Sequence, residues 1–276
     1  MKKLRVIRII ISALLLAACA GYLLAGTHWP ALANYSVRLQ IIPSMIATTI
    51  GITLFWLMAT LLLGRVYCST VCPIGTIQDL GTALRRRYRS KRRRRFRYKH
   101  PFRHRYDIAA IYLLCLILGL IAIPLLLEPW SMFCDICALA KPSAQAAGWL
   151  RLGVGAAVGL IAGAVSLAAM LLCGFFFGRD YCNYVCPIGT ALGLMDSRTI
   201  WHIEIDPEKC VNCMACEEVC KSSCIKMVSR YVDNSRCVRC FDCLAVCPND
   251  AIRFQANRNR PRNPLLRRVN QTATGK

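Results

Sequence analysis

Four stretches of this 276-residue chain, about 9–25, 41–63, 108–127 and 154–177, are predominantly apolar. Each is close to the ~20 residues that carry a helix across a hydrocarbon core about 30 Å thick. With 56% apolar residues overall, the chain is too hydrophobic for a soluble domain of its length, so the expected fold is membrane α-helical with four transmembrane helices. Gly155, Gly159 and Gly163 form a small-residue stripe on the last span, where a neighbouring helix can approach closely. Lysine and arginine set the orientation, because short loops rich in them stay cytoplasmic. They crowd Lys2, Lys3, Arg5 and Arg8, the stretch from Arg85 to Arg105, and the region after the fourth span. The segments 27–40 and 128–150 hold only Arg38 and Lys141. The expectation is a multi-pass protein of the bacterial inner membrane with both termini in the cytoplasm. Leu16-Ala17-Ala18-Cys19 also resembles a lipoprotein signal with Cys19 as the acylated residue, although apolar residues continue to Ala25.

The second constraint is a pair of cysteine runs, Cys210-x2-Cys213-x2-Cys216-x3-Cys220 and Cys237-x2-Cys240-x2-Cys243-x3-Cys247-Pro248. Zinc sites use C-x2-C pairs, whereas triplets followed by a fourth cysteine at x3, occurring twice, match a bacterial two-cluster ferredoxin. In that pattern the fourth cysteine of each run ligates the other cube. The expected ligand sets are therefore Cys210, Cys213, Cys216 and Cys247 for the first [4Fe-4S] cluster, and Cys237, Cys240, Cys243 and Cys220 for the second. The first run departs from the pattern in having Lys221 in place of proline and a further thiol at Cys224, which leaves Cys220 and Cys224 as rivals for one position; x3 spacing favours Cys220. Residues 201–256 are assigned to an α+β ferredoxin-like module, residues 1–200 to the membrane domain, and 257–276 to a basic, unstructured tail. Lys209, Lys221, Arg236 and Arg239 are expected to raise the cluster potentials, since a reduced cluster carries extra negative charge.

A third feature is an internal repeat. Gly64-Arg65-Val66-Tyr67-Cys68-Ser69-Thr70-Val71-Cys72-Pro73-Ile74-Gly75-Thr76 recurs from Gly178 to Thr190 with ten of thirteen positions identical. Each copy follows a span running inward, so both C-x3-C-P elements are expected at the cytoplasmic membrane boundary. Each C-x3-C supplies two thiols one helical turn apart. Together Cys68, Cys72, Cys182 and Cys186 supply four, enough for a third cluster or for a thiolate-loving metal such as Cu(I); a redox dithiol or plain packing also fits. Arg65 and Arg179 would offset thiolate charge.

Two C-x3-C-P elements after spans two and four, followed by a double-cubane tail, resemble the NapH family of quinol dehydrogenase subunits, and are similar to the membrane portions of NosR and CcoG. The resemblance implies electron transfer between the membrane quinol pool and another redox protein, with quinol as substrate. A CcoG-like copper reductase, and a non-enzymatic maturation or redox-sensing scaffold, are the alternatives.

The net charge of +22 does not indicate nucleic acid. Arg85, Arg86, Arg87, Arg89, Lys91, Arg92 to Arg95, Arg97, Lys99, Arg103 and Arg105 lie between two spans, where they fix topology and meet anionic headgroups at about 1 kcal/mol per residue, or form a docking patch for an acidic electron carrier. No dinucleotide-binding G-x-G-x-x-G fingerprint follows a strand. Cys134 and Cys137 on the outer side read as a redox dithiol, a metal-entry site, a disulfide or plain packing; Cys115 and Cys173 as small apolar fillers. His28 and Glu128, at the outer boundary, are candidates for passing protons.

Overall fold

A computed structural model describes residues 2–25, 37, 39–41, 50–88, 96–101, 104–120, 124, 127–140, 156–196 and 199–256. Its helices are α1 (Lys2–Ala25), α2 (Ile50–Leu63), α3 (Tyr67–Thr70), α4 (Pro73–Tyr88), α5 (Arg105–Ile117), α6 (Pro129–Ala138), α7 (Ala156–Phe177) and α8 (Pro187–Asp196), with a π-helical turn at Tyr181–Val185. Two of them contain segments long and apolar enough to cross a membrane, Lys3–Leu24 and Leu160–Phe177. The second expected span appears as the shorter α2 and the third as α5; residues 42–49, 121–123 and 125–126 of those stretches lie outside the described residues. So do His28, Arg38, Lys141, Gly155, Arg89, Lys91 to Arg95, Arg103 and the tail. Apolar side chains point away from the protein on α1 (Leu14), α2 (Phe55, Met58), α5 (Leu113, Ile117) and α7 (Ile161, Leu172). Such surfaces suit lipid rather than water.

α2 and α7 both stop at a glycine in the left-handed conformation, Gly64 (φ +84) and Gly178 (φ +77). This is the usual way to end a helix, because a residue without Cβ adopts αL freely. After each glycine the chain folds back alongside the helices, and Pro73 and Pro187 then start α4 and α8, where the missing N–H costs nothing. Contacts along α1 show the depth. Arg8 pairs with Asp79, Ser12 meets Thr76 at 2.8 Å, and the Cys19 thiol accepts from Gln40, which also donates to the carbonyl of Val71 at 3.0 Å. Cys19 lies about 16 Å of helix rise beyond Arg8. The C-x3-C-P elements thus pack among the helices, against α1. Helix α6 closes the arrangement from the far side, with Met132 accepting from Tyr181 Oη at 3.2 Å and Gly163 of α7 leaving room for the carbonyl of Asp135.

Cys19 is 1% exposed in the middle of α1, whose N-terminal half supplies Arg5, Arg8 and Ser12 to contacts elsewhere.

Residues 201–256 form a small α+β unit. Strand β1 (Trp201–Ile205) pairs antiparallel with β4 (Ile252–Ala256), Ile205 opposite Ile252, tying its ends together. Strands β2 (Ile225–Lys226) and β3 (Tyr231–Val232) make a second antiparallel pair. Short helices α9 (Ala215–Val219) and α10 (Asp242–Val246) each carry the third cysteine of a run and end at the fourth.

Candidate iron-sulfur centres

The two cysteine runs fold alike. Asn212 and Met214 in the first, and Arg239 and Phe241 in the second, occupy left-handed backbone conformations at equivalent positions. Alternating αR and αL residues turn successive N–H groups toward one side, a concavity suited to an anion. Two hollows result. One, of about 330 Å³, is lined by Cys210, Cys213, Cys216 and Cys247. The other, of about 320 Å³, is lined by Cys220, Cys237, Cys240, Cys243 and Cys224. In each, the fourth cysteine of one run lines the same hollow as the triplet of the other. Cys224 is buried with its sulfur 3.5 Å from that of Cys220, so the two remain rivals for one corner. Among the described residues no three His, Cys, Asp or Glu side chains converge as a single-ion site; these thiols line volumes.

A third thiol group lies among the helices that precede the small α+β unit. Cys68, Cys72, Cys182 and Cys186 are all buried in one core, which also contains Cys240 of the second run. The two repeats hold each other by exchanged arginines. Arg65 Nη2 donates to the carbonyl of Cys182 at 2.7 Å and lies 4.0 Å from Cys68 Sγ, while its Nη1 donates to Asn183 Oδ1 at 2.7 Å. Arg179 reciprocates by donating to the carbonyl of Cys68. Gly75 and Gly189 make this possible: a Cβ on either would strike the first cysteine's carbonyl in its own repeat and stand 2.9 Å from the other repeat's guanidinium. The polar lining continues with Gln78, whose Oε1 accepts from Cys182 Sγ at 3.0 Å.

The symmetry is broken electrostatically. Arg179 is paired with Asp79 at 2.9 Å, but the position equivalent to Asp79 in the second repeat is Gly193, and Arg65 donates to neutral acceptors and sulfur, with the Asp196 carboxylate, itself bonded to Arg239, within electrostatic reach. Arg65 is 1% exposed and its Nε has no partner. A buried guanidinium in this state calls for an anion, and the four sulfurs are where one would sit.

The ferredoxin-like unit is bolted onto these repeats. Arg239 reaches over Gly64 to donate to the carbonyl of Leu63 at 3.2 Å, and pairs with Asp196 at 2.8 Å. Arg236 pairs with Asp233 at 2.7 Å. Arg236 is therefore locally paired and Lys209 is exposed, whereas Arg239 also bonds the sulfur of Cys237, as expected of a cation placed beside the second thiol set. Part of the basic stretch acts as a strap: Phe96 N donates to the carbonyl of Glu218 at 2.9 Å, Lys99 N to that of Ser223 at 3.1 Å, and Arg85 stacks 4.3 Å over the buried Phe96 ring. Sequence reasoning missed this strap, the arginine exchange and the role of Asp79. The identical Gly-Arg and Ile-Gly-Thr of both repeats were the available signal. Cys134 and Cys137 are buried on α6 in the same core as Cys68, Cys72, Cys182 and Cys186, and Glu128 at the start of α6 accepts from Ser131 at 3.2 Å.

A family model described as a 4Fe-4S binding domain matches residues 45–92 and 158–204, the two repeats, and another 4Fe-4S binding domain model matches 201–222. The chain is 28% identical to the ferredoxin-type protein NapH of Haemophilus influenzae over 63% of this chain and 53% of the relative. It is 24% identical to the putative electron transport protein YccM of Escherichia coli over 68% and 50%, and 27% identical to E. coli NapH over 65% and 55%. The chain spans about half the length of these curated relatives. No solved structure matches it. Its repeats and its first cysteine run match 4Fe-4S binding domain models, and over about two thirds of its length the chain is similar to ferredoxin-type NapH proteins.

Proposed function

We propose that this protein is a membrane-bound electron carrier that passes electrons between the quinol pool and a redox protein on the cytoplasmic side. The observation that carries this reading is the series of three thiol groups. Cys68, Cys72, Cys182 and Cys186 are enclosed among apolar helices; the second set touches that core through Cys240, while Cys220, Cys237 and Cys243 share the core of the small unit with Cys216; Cys210, Cys213 and Cys247 are the least buried, with Cys213 exposed. Such an order suits relay from a lipid-side donor to a soluble acceptor.

Each set would hold one [4Fe-4S] cluster, a one-electron carrier when bound. The residues fit it. Two hollows are lined by four thiols or more, and the third group faces the unpaired Nε and buried charge of Arg65. Arg65 and Arg179 hold the two repeats together and supply positive charge where thiolates gather, while Gly75 and Gly189 let the backbones approach. The membrane domain excludes water from the innermost group.

Four spans, a domain boundary near residue 200 and cytoplasmic termini belong to this reading. It is supported by two spanning-length helices, by outward apolar surfaces on α2 and α5, and by the lysine and arginine bias. Lipids and the quinone pool would be the membrane partners.

Anaerobically purified protein should contain about twelve iron atoms, four per cube. Replacing Cys68, Cys72, Cys182 and Cys186 by serine should lower this to about eight and abolish quinol-driven reduction of the remaining clusters in liposomes. Eight irons before and after, with unchanged quinol reduction, would exclude the innermost centre.

A further inference from the structure

Lys221 stands where a proline usually follows the fourth cysteine of a ferredoxin run. The structure shows what replaced the turn-forming ring. Lys221 is 6% exposed, and its Nζ lies 3.2 Å from Asp79 Oδ1 on α4 and 3.0 Å from Asp242 Oδ2 at the start of α10. Its carbonyl accepts from the backbone N–H of Arg179 at 2.9 Å. That contact needs Gly178, because a Cβ there would collide with the same carbonyl. One residue therefore ties the end of the first cysteine run to the second run and to both repeats.

The surrounding charges do not balance. Asp79 also receives Arg8 and Arg179, and Asp242 receives Arg5 and Arg86, so five cations meet two carboxylates. Burial alone would raise Asp79, yet Arg179, Lys221 and Arg8 hold it well below the usual carboxylate range. Among the described residues, the ion pairs of this cluster thus leave a positive surplus. It lies beside Cys240, which has the Asp242 carboxylate and, in the opposite sense, Lys221 and Arg8 within electrostatic reach, and Arg179 reaches both Cys240 and Cys182.

We infer that Lys221 is a positioning residue that locks the ferredoxin-like unit onto the two repeats and makes the centre held by Cys220, Cys237, Cys240 and Cys243 easier to reduce than the one held by Cys210, Cys213, Cys216 and Cys247. The inference rests on the cluster reading above. Its electrostatic basis is that positive charge near a cluster favours the reduced, more negative form. The outer set lies apart from this surplus, with Cys213 exposed to solvent.

The test uses the full chain in detergent or liposomes, with an EPR redox titration of wild type, Lys221→Met and Lys221→Arg. The expected result is that Lys221→Met shifts the higher-potential ferredoxin-type signal to more negative potential and leaves the lower one in place, while Lys221→Arg restores the wild-type value. Equal shifts of both signals, or no shift, would overturn the potential-setting role. Limited proteolysis serves as a readout independent of iron: Lys221→Met should speed cleavage between residues 196 and 201, and an unchanged rate would overturn the lock. Wild-type protein without iron would instead count against the cluster reading, while the proteolysis arm still decides the lock.

Discussion

Replacing Arg65 by methionine separates what the protein needs from what its occupant needs. Methionine keeps much of the length of the side chain and removes the charge. Three hydrogen bonds to oxygen are lost, to Asn183 Oδ1 and the carbonyl of Cys182, both 2.7 Å, and a longer one of 3.4 Å to the carbonyl of Ser235. Bonds of a charged donor contribute about 1.5–3 kcal/mol each. Against this, methionine relieves the desolvation of a fully buried guanidinium, which costs several kcal/mol. In the iron-free protein the two nearly cancel, and the thermal midpoint should move by no more than a few degrees. The loaded protein behaves differently. At the 4.0 Å separating Arg65 Nη2 from Cys68 Sγ, a unit charge pair at an effective dielectric constant of about 20 is worth about 4 kcal/mol. That corresponds to roughly a thousandfold in affinity. Iron retained against increasing chelator should therefore show one cluster's worth released far earlier in Arg65→Met than in wild type, with Arg65→Lys intermediate. Iron held as tightly by Arg65→Met as by wild type would refute the argument that an anion at the four thiols balances Arg65.

Three further outcomes follow from the same contacts. Asp79→Asn leaves Arg8, Arg179 and Lys221 without a shared carboxylate and should destabilise the protein by about 3–5 kcal/mol at pH 7. Because Asp79 is depressed in the fold, its contribution is present above the unfolded carboxylate value near 3.9 and fades as pH falls below it, so denaturation of wild type and Asp79→Asn should converge in acid. Cys220→Ala should retain the second cluster through Cys224, whereas Cys220→Ala/Cys224→Ala should lose about four irons; iron analysis with EPR decides, and equal loss in the single variant would rule out Cys224 as a substitute. Phe96→Ala removes the buried ring beneath Arg85 and should cost up to about 3–5 kcal/mol, read as faster hydrogen exchange at the amides of Phe96 and Lys99, which bond to the carbonyls of Glu218 and Ser223.

Much was legible in the order of residues because the signals are local. Span-length apolar runs follow from the absence of water in a bilayer. The expected crossing of Cys220 and Cys247 between triplets comes from spacing, and left-handed residues stand at equivalent places in both runs. The thirteen-residue repeat announced two equivalent elements, and Gly64 and Gly178 marked where helices end. What the linear chain could not show is where those elements sit. Their placement depends on partners far apart in sequence: Arg65 with Cys182, Arg179 with Asp79, Gln40 with Cys19 and Val71. Only tertiary packing decided that the C-x3-C-P elements pack among the helices and that Lys221 bridges two carboxylates from different halves. It also decided that Arg65 is left with sulfur where Arg179 has a carboxylate. A buried charge takes its meaning from neighbours within a few ångströms, and those neighbours are chosen by the fold.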